Sequence, residues 1–118
     1  MSFMLLMMEA PGKRQARPLE EGQAAYARMM AFQEKLRTNG VLITGEALKS
    51  DDNAVRIENY GGKRTVSDGP FTESKEIIGG FFLLNCKTRD EALEYAHACP
   101  ASEWGIVELR EIASSCYE

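Results

Sequence analysis

The sequence predicts an α+β protein in which one antiparallel sheet carries two helices on the same face. Short apolar stretches have the length of strands, two segments carry helical signals, and hairpin turns fall between those two segments. The predicted order is β-α-β-β-(short β)-β-α-β, which corresponds to a ferredoxin-like sandwich. The 118 residues are enough for one domain with its own core, so a single domain spanning 1–118 is expected.

The first third of the chain is predicted to form a strand and a helix. The opening MSFMLLMMEA is apolar, lacks a basic n-region and reaches an acid at Glu9, so we interpret it as a strand rather than a signal peptide or membrane span. PGKRQARP is predicted to be a loop. Pro18 can open a helix, which is predicted to run to about Thr38 because one apolar stripe recurs there: Ala25, Met29, Phe32 and Leu36.

The remainder is predicted to contain the other strands and the second helix. The strand-like stretches are VLITGEAL (41–48), AVRIEN (54–59), RTV (64–66), a long stretch near 77–86, and WGIVELREI (104–112). YGGK (60–63) is a predicted hairpin loop. Thr88 and Glu91 form a capping-box signature for a helix over about 89–99. Residues 113–118 are predicted to be a loose tail.

Two of these strands, FMLLMM and IIGGFFLL, do not alternate between apolar and polar residues. A sheet with helices on one face and water on the other should alternate, and two helices can cover only one face. Leaving large apolar side chains in water would forgo roughly 1.5–3 kcal/mol each. We therefore expect a homodimer in which two sheets pack face to face as an α/β barrel, with an apolar small-molecule cavity at the junction.

Composition narrows the functional classes. Fourteen basic and eighteen acidic residues give a net charge of −4 without a basic stripe, which argues against nucleic-acid binding. Three cysteines without a CxxC pair predict neither a zinc ribbon nor a disulfide framework, and indicate reduced thiols in a cytoplasmic protein. GGKRT lacks the upstream glycine of a phosphate-binding loop, and no GxGxxG occurs. We expect no cofactor, no metal site and no membrane association.

The stretch SDGPFTESKEIIGGFFLL (67–84) concentrates ionisable residues beside an apolar strand. Asp68 and Glu73 are the candidate catalytic residues, because a carboxyl group at an apolar cavity can act as a general acid or base. The candidate substrate-binding residues are Glu46, Gly69, Pro70, Phe71, Lys75, Glu76 and Arg110. The plainer interpretation is a rigid connection in which Phe71 anchors the loop in the core and the acids face solvent.

Three further features have structural explanations. Gly79-Gly80 inside a strand indicates a bulge, or alternatively a close approach to a ligand. His97 is the only histidine and lies near the end of the second predicted helix, where a surface or capping role is expected. Cys116 is expected to be an exposed thiol in the tail.

The motif DGPFTESKEIIGGFFLL resembles the DGPFAETKE motif of a branch of the YCII-related proteins. FMLLMME, GVLITGEAL, EALEYAHACP and GIVELREI are similar to further segments of that family, so the resemblance covers nearly the whole chain. It implies a ferredoxin-like fold that dimerises into an α/β barrel and a small-molecule site. Some members are proposed to use a His–Asp pair, from which this chain departs because His97 lies on the second helix.

Two functions remain open at this point. The first is a cofactor-independent enzyme, with Asp68 or Glu73 as proton carrier, Lys75 and Arg110 as anion holders and Glu46 in support. The second is a binding module that holds a ligand unchanged or acts as a regulatory accessory. The family resemblance implies a link to sigma-factor-dependent transcription for that second function.

Overall fold

The computed structural model describes residues 1–118. It contains six strands and three helices: β1 (Ser2–Glu9), α1 (Lys13–Ala16), α2 (Leu19–Thr38), β2 (Leu42–Ala47), β3 (Val55–Tyr60), β4 (Lys63–Asp68), β5 (Ile77–Asn85), α3 (Arg89–Ala98) and β6 (Ile106–Glu111). Short 3₁₀ turns occupy Asp51–Asn53 and Pro100–Glu103. None of the helices combines the length and apolarity needed to cross a bilayer.

Four strands form one antiparallel sheet in the order β2-β5-β1-β6, and β3 pairs with β4 in a separate hairpin. This arrangement is compatible with the predicted ferredoxin-like fold, with the hairpin inserted between β2 and β5. The predicted elements are all present. The prediction was incomplete in PGKRQARP, where Lys13–Ala16 form one helical turn that begins after Gly12, a residue with a φ of 79°.

The capping signature at Thr88 starts α3 as predicted. The Thr88 hydroxyl accepts a hydrogen bond from the Glu91 amide at 3.1 Å, and the Glu91 carboxylate accepts one from the Lys87 amide at 3.1 Å. These two contacts satisfy amide groups that have no partner within the helix. These contacts fix the start of α3, which follows β5 after a short connection.

The core lies between the sheet and the long helices. Phe3 and Leu5 of β1 pair with Leu84 and Phe82 of β5, and all four are buried on the helix-facing side. The ring of Phe82 meets Phe32 of α2 edge to face, with centroids 5.6 Å apart. The rest of the buried cluster comes from α2, α3 and their flanks: Leu36, Val41, Cys86, Ala92, Ala96, Cys99 and Ala101.

The opposite side of the sheet is also apolar. Met4 pairs with Leu83 and Leu6 pairs with Phe81, and all four are only partly buried. We call Met4, Leu6, Phe81 and Leu83 the open face. As the non-alternating strands predict, large apolar side chains stand on both sides of β1 and β5.

The β3–β4 hairpin extends away from the main sheet. The radius of gyration is 16.0 Å, whereas a compact chain of this length would have about 13.5 Å. Gly61 and Gly62 supply the positive φ angles of its two-residue turn, 58° and 84°. Ile57 pairs with Val66 on one side of the hairpin, and both are 68% exposed. The hairpin therefore carries an apolar side that nothing in its own chain covers.

Candidate functional site

A pocket of about 340 Å³ lies between the first turns of α2 and the adjoining ends of β1 and β5. We call it the α2 pocket. Its lining is mainly apolar and includes Met7, Ala25, Met29, Met30, Phe82 and Trp104. Phe32 and Leu36 of α2 are buried against the sheet, whereas α2 and β5 contribute the small residues Gly22, Ala25, Gly79 and Gly80 to the lining, which leaves space between the two elements. Apolar cavities of this size with a few polar groups are the usual form of a small-molecule site.

Gly79 and Gly80 form part of the pocket's lining. The strand register shifts here, since Met7 pairs with Gly80 and Met8 with Ile78, which confirms the predicted bulge. A Cβ at Gly80 would lie 2.8 Å from the Glu46 carbonyl oxygen, so β2 could not approach a larger residue as closely. A Cβ at Gly79 would lie 2.9 Å from Arg14 Nη2 and 3.0 Å from Glu9 Oε1. The bulge therefore makes room for charged side chains.

Glu9 and Arg14 form an ion pair beside Gly79, with Oε1 and Nη2 2.9 Å apart. Glu9 is 12% exposed and Arg14 is 37% exposed. Arg14 also donates hydrogen bonds to the carbonyl oxygen of Leu48 at 2.6 Å and to that of Gly79 at 3.4 Å. Both members of the pair belong to the lining. The pocket therefore contains a carboxylate and a guanidinium that already have partners within the chain.

Trp104 also lines the pocket, and the side chains of two arginines lie over its ring. The guanidinium groups of Arg17 and Arg28 are 5.5 and 5.6 Å from its ring centroid. Arg28 is ion-paired with Glu103. The hydrogen bond between them raises the pKa of Arg28 and lowers that of Glu103. Arg17 belongs to the lining, is half-buried and has no carboxylate partner within 4 Å.

Glu46 is the one sequence-predicted site residue in this lining, where it is exposed and pairs with Phe81 across β2 and β5. Asp68 and Glu73 lie outside the pocket and face solvent, Asp68 at the end of β4 and Glu73 in the following loop. Lys75 is likewise exposed. The structure does not bring these groups together at the α2 pocket, and their proposed roles stay predictions.

The remaining candidates lie at the hairpin base or on β6. Phe71 is buried, as expected of an anchor, but at the hairpin base, where Asp51 accepts its amide hydrogen bond at 2.8 Å. Arg56 lies over the Phe71 ring at 3.9 Å. Neighbouring loop residues Gly69, Pro70 and Glu76 lie outside the α2 pocket. Arg110 is exposed, pairs with Met4 across the sheet and lies 3.4 Å from Glu108.

The cysteines and the histidine add no reactive centre to this site. Cys86 and Cys99 are buried, and burial raises the pKa of both thiols, which disfavours a thiolate. Cys116 and His97 are exposed and lie outside the lining. No group of three His, Cys, Asp or Glu side chains is placed to hold a metal ion.

Sequence reasoning missed the charged residues of the α2 pocket: Glu9, Arg14 and Arg17. One signal was available. The odd-numbered residues Leu5 and Met7 of β1 face the helices, and Glu9 is the next residue in that series. Glu9 therefore lies on the helix-facing side as well. The basic cluster in PGKRQARP directly follows that strand, and a chain reversal there brings the cations back to Glu9.

The comparisons with known proteins agree with this architecture. The family model for the YCII-related domain matches residues 1–114. The chain belongs to the YCII-related family. An uncharacterised protein of Rhizobium meliloti (strain 1021) is 34% identical over 98 residues, which is 80% of this chain and 77% of that relative.

A solved structure with the same fold is 5-chloro-2-hydroxyhydroquinone dehydrochlorinase from Burkholderia phenoliruptrix AC1100, in complex with 2,5-dihydroxybenzoquinone. The two align with a TM-score of 0.56 over 100% of this chain and 99% of that chain. At 15% identity, this likeness establishes the fold alone.

Two glycines at the pocket differ in what an added Cβ would meet, and this predicts opposite effects for their substitution. Gly80→Ala should lower the free energy of unfolding by about 1–3 kcal/mol, because its Cβ would lie 2.8 Å from the backbone carbonyl oxygen of Glu46 in the paired strand β2. Gly22→Ala in α2 should raise it by about 0.5–1 kcal/mol, because its Cβ meets only Arg17 Cδ at 3.9 Å and alanine favours the helix. Urea denaturation measures both values, and a Gly80→Ala variant as stable as the native protein would contradict the close approach of β2.

Proposed function

We propose that this YCII-related protein binds a small, flat and largely apolar molecule in the α2 pocket. The observation that carries the proposal is a preformed apolar cavity that contains a fixed Glu9–Arg14 pair. A few placed polar groups in an otherwise apolar cavity orient a ligand, whereas apolar walls supply most of the affinity. The dehydrochlorinase of the same fold is described in complex with a quinone, so small ring compounds are the first class to test.

The methionines of the lining allow the pocket to adapt its shape to different ligands. Met7, Met8, Met29 and Met30 all belong to it. Methionine is unbranched, has three rotatable bonds and a polarizable sulfur, and makes favourable contacts with aromatic rings. Walls of this kind accept rings of different outline, so we expect a class of related compounds rather than one rigid shape.

A neutral aromatic compound tests binding at this site. We expect 2-naphthamide to bind the native protein and to raise its melting temperature. The Met29→Trp substitution should abolish both effects, because the larger side chain fills the cavity. Leu93→Trp is the matched control, since Leu93 is an exposed residue of α3 outside the lining. Circular dichroism verifies that both variants are folded. Equal binding by the two variants would place the ligand elsewhere.

Acid–base catalysis is the second candidate function. Glu9 favours it, because a mostly buried carboxylate in the lining of an apolar cavity is positioned to exchange a proton with a bound ligand. The proposal that Asp68 or Glu73 carries the proton requires an additional surface to cover them, since both face solvent in the single chain.

Turnover distinguishes these carboxylates. In a screen of small ring compounds, Glu9→Gln should lower the rate by a factor of about 10²–10⁴, the usual contribution of a general acid or base. Asp68→Asn and Glu73→Gln are the comparison variants, and a loss in either would move the role to the 67–76 loop. A ligand that emerges unaltered from the native protein would favour the binding module over catalysis. Co-purification with a sigma factor is the corresponding test of the regulatory alternative.

We further propose that the protein is a homodimer joined through the open face, so that two sheets make an α/β barrel. The proposal is supported by the row of large apolar side chains on the open face, which stay partly exposed in the single chain. Burying such surface stabilises an association by about 25 cal/mol per Å² before the cost of association is subtracted. The hairpin supports the same arrangement, because its apolar side at Ile57 and Val66 also lacks cover.

The dimer is tested by molar mass in solution. Native protein should have twice the mass of one chain in light scattering, and Leu6→Lys should be monomeric, because it places a charge within the open face. Leu93→Lys introduces the same charge on the exposed side of α3 and should remain dimeric. A monomeric native protein at micromolar concentration would contradict the barrel.

A further inference from the structure

The cations in and beside the lining of the α2 pocket differ in whether they have a partner within the chain. Arg14 is paired with Glu9 and also donates to two carbonyl groups. Arg28 is paired with Glu103. The ammonium group of Lys13 donates to the carbonyl oxygen of Trp104. Each of these cations therefore has a partner within the chain.

Arg17 differs from all of them. Its side chain belongs to the pocket lining and makes neither an ion pair nor a hydrogen bond within the chain. The nearby acids Glu20, Glu21 and Glu46 are exposed and form no ion pair with it. A guanidinium has five N–H donors in a rigid fork, so a half-buried one without partners presents unused donors to the cavity mouth.

Two contacts hold Arg17 in place. Its guanidinium lies over the Trp104 ring, 5.5 Å from the centroid, and its aliphatic stem lies beside Gly22. A contact between a cation and an aromatic ring uses no conventional hydrogen bond, so the N–H donors of the guanidinium have no acceptor within the chain. Arg17 is thus positioned without being neutralised.

We propose that the ligand of the α2 pocket carries a carboxylate, which Arg17 binds in bidentate fashion at the pocket mouth. This inference rests on the proposed function and adds the ligand's chemical class, an apolar ring that bears one anionic group. The ring lies against Met7, Met29 and Phe82, and the carboxylate lies at the rim. Guanidinium–carboxylate pairs are strong because two charge-assisted hydrogen bonds form in parallel.

Arg14 is not the anion-binding residue, although it belongs to the same lining. A carboxylate at Arg14 would have to displace Glu9 and compete with the carbonyl groups of Leu48 and Gly79. Binding at Arg17 breaks no ion pair or hydrogen bond within the chain. The orientation of the ligand follows, with its charge outward and its ring inward.

Matched acids and amides test this proposal with the full chain. The pairs are 2-naphthoate with 2-naphthamide and benzoate with benzamide, which differ at the anionic group. Native protein should bind each acid about 10-fold or more tightly than its amide. Arg17→Gln should weaken acid binding roughly 10- to 100-fold, the range for a lost hydrogen bond to a charged group, and change amide binding less than about 3-fold.

Arg89→Gln is the control variant, because it removes the same charge from an exposed arginine outside the pocket and should leave all four affinities unchanged. Equal native affinities for acid and amide would overturn the anionic class and leave the proposed function intact. An equal loss of acid and amide binding in Arg17→Gln would show that Arg17 only supports Trp104, which also overturns the proposal. If no compound binds the native protein, the proposed function is wrong and this inference falls with it.

Discussion

The guanidinium of Arg14 joins three strand ends, and the shape of the pocket depends on where it holds them. It contacts Glu9 at the end of β1, the carbonyl group of Leu48 just beyond β2, and Gly79 within β5. Those strands lie side by side, and the hairpin leaves the sheet at this edge. Because a bulge and a glycine coincide at Gly79, the guanidinium can lie directly against the sheet. The floor of the pocket at Gly79 is therefore set by this contact.

The central strands place large apolar side chains on both sides of the sheet. Along β5, Phe82 and Leu84 enter the core beneath the helices, whereas Phe81 and Leu83 stand on the open face. A strand with apolar residues on both faces cannot alternate apolar with polar residues. The α2 pocket lies on the helix-facing side and is lined within one chain. It is therefore on the opposite side of the sheet from the face that we propose for assembly, and not at a junction of two sheets, where the sequence predicts a cavity.

Local patterns in the sequence were sufficient for the order of elements. The helix predicted to end at about Thr38 ends there, and the capping pair at Thr88 starts α3, because stripes and caps act over a few residues. The pocket was not predictable in the same way. Glu9 and Arg14 meet beside a bulge that lies 70 residues further along the chain. The glycine pair predicted the bulge, but no local pattern shows that this part of β5 lies against Glu9 and Arg14. Conversely, the acids at Asp68 and Glu73, which are prominent in the sequence, lie at the hairpin and in the loop after it, outside the pocket.

The free-energy cost of burying a charge explains which charged groups of the pocket have partners within the chain. A charge removed from water is stable only when it is paired and hydrogen-bonded, and Arg14, which lies against the sheet, has both kinds of contact. Arg17 stays at the boundary, where water can solvate it and the indole ring can hold it. A ligand that reaches Arg17 replaces water at a cation already in position, whereas one that reaches Arg14 must first break an ion pair. Selectivity for an anion therefore depends on which cation lacks a partner, and not on how many cations surround the pocket.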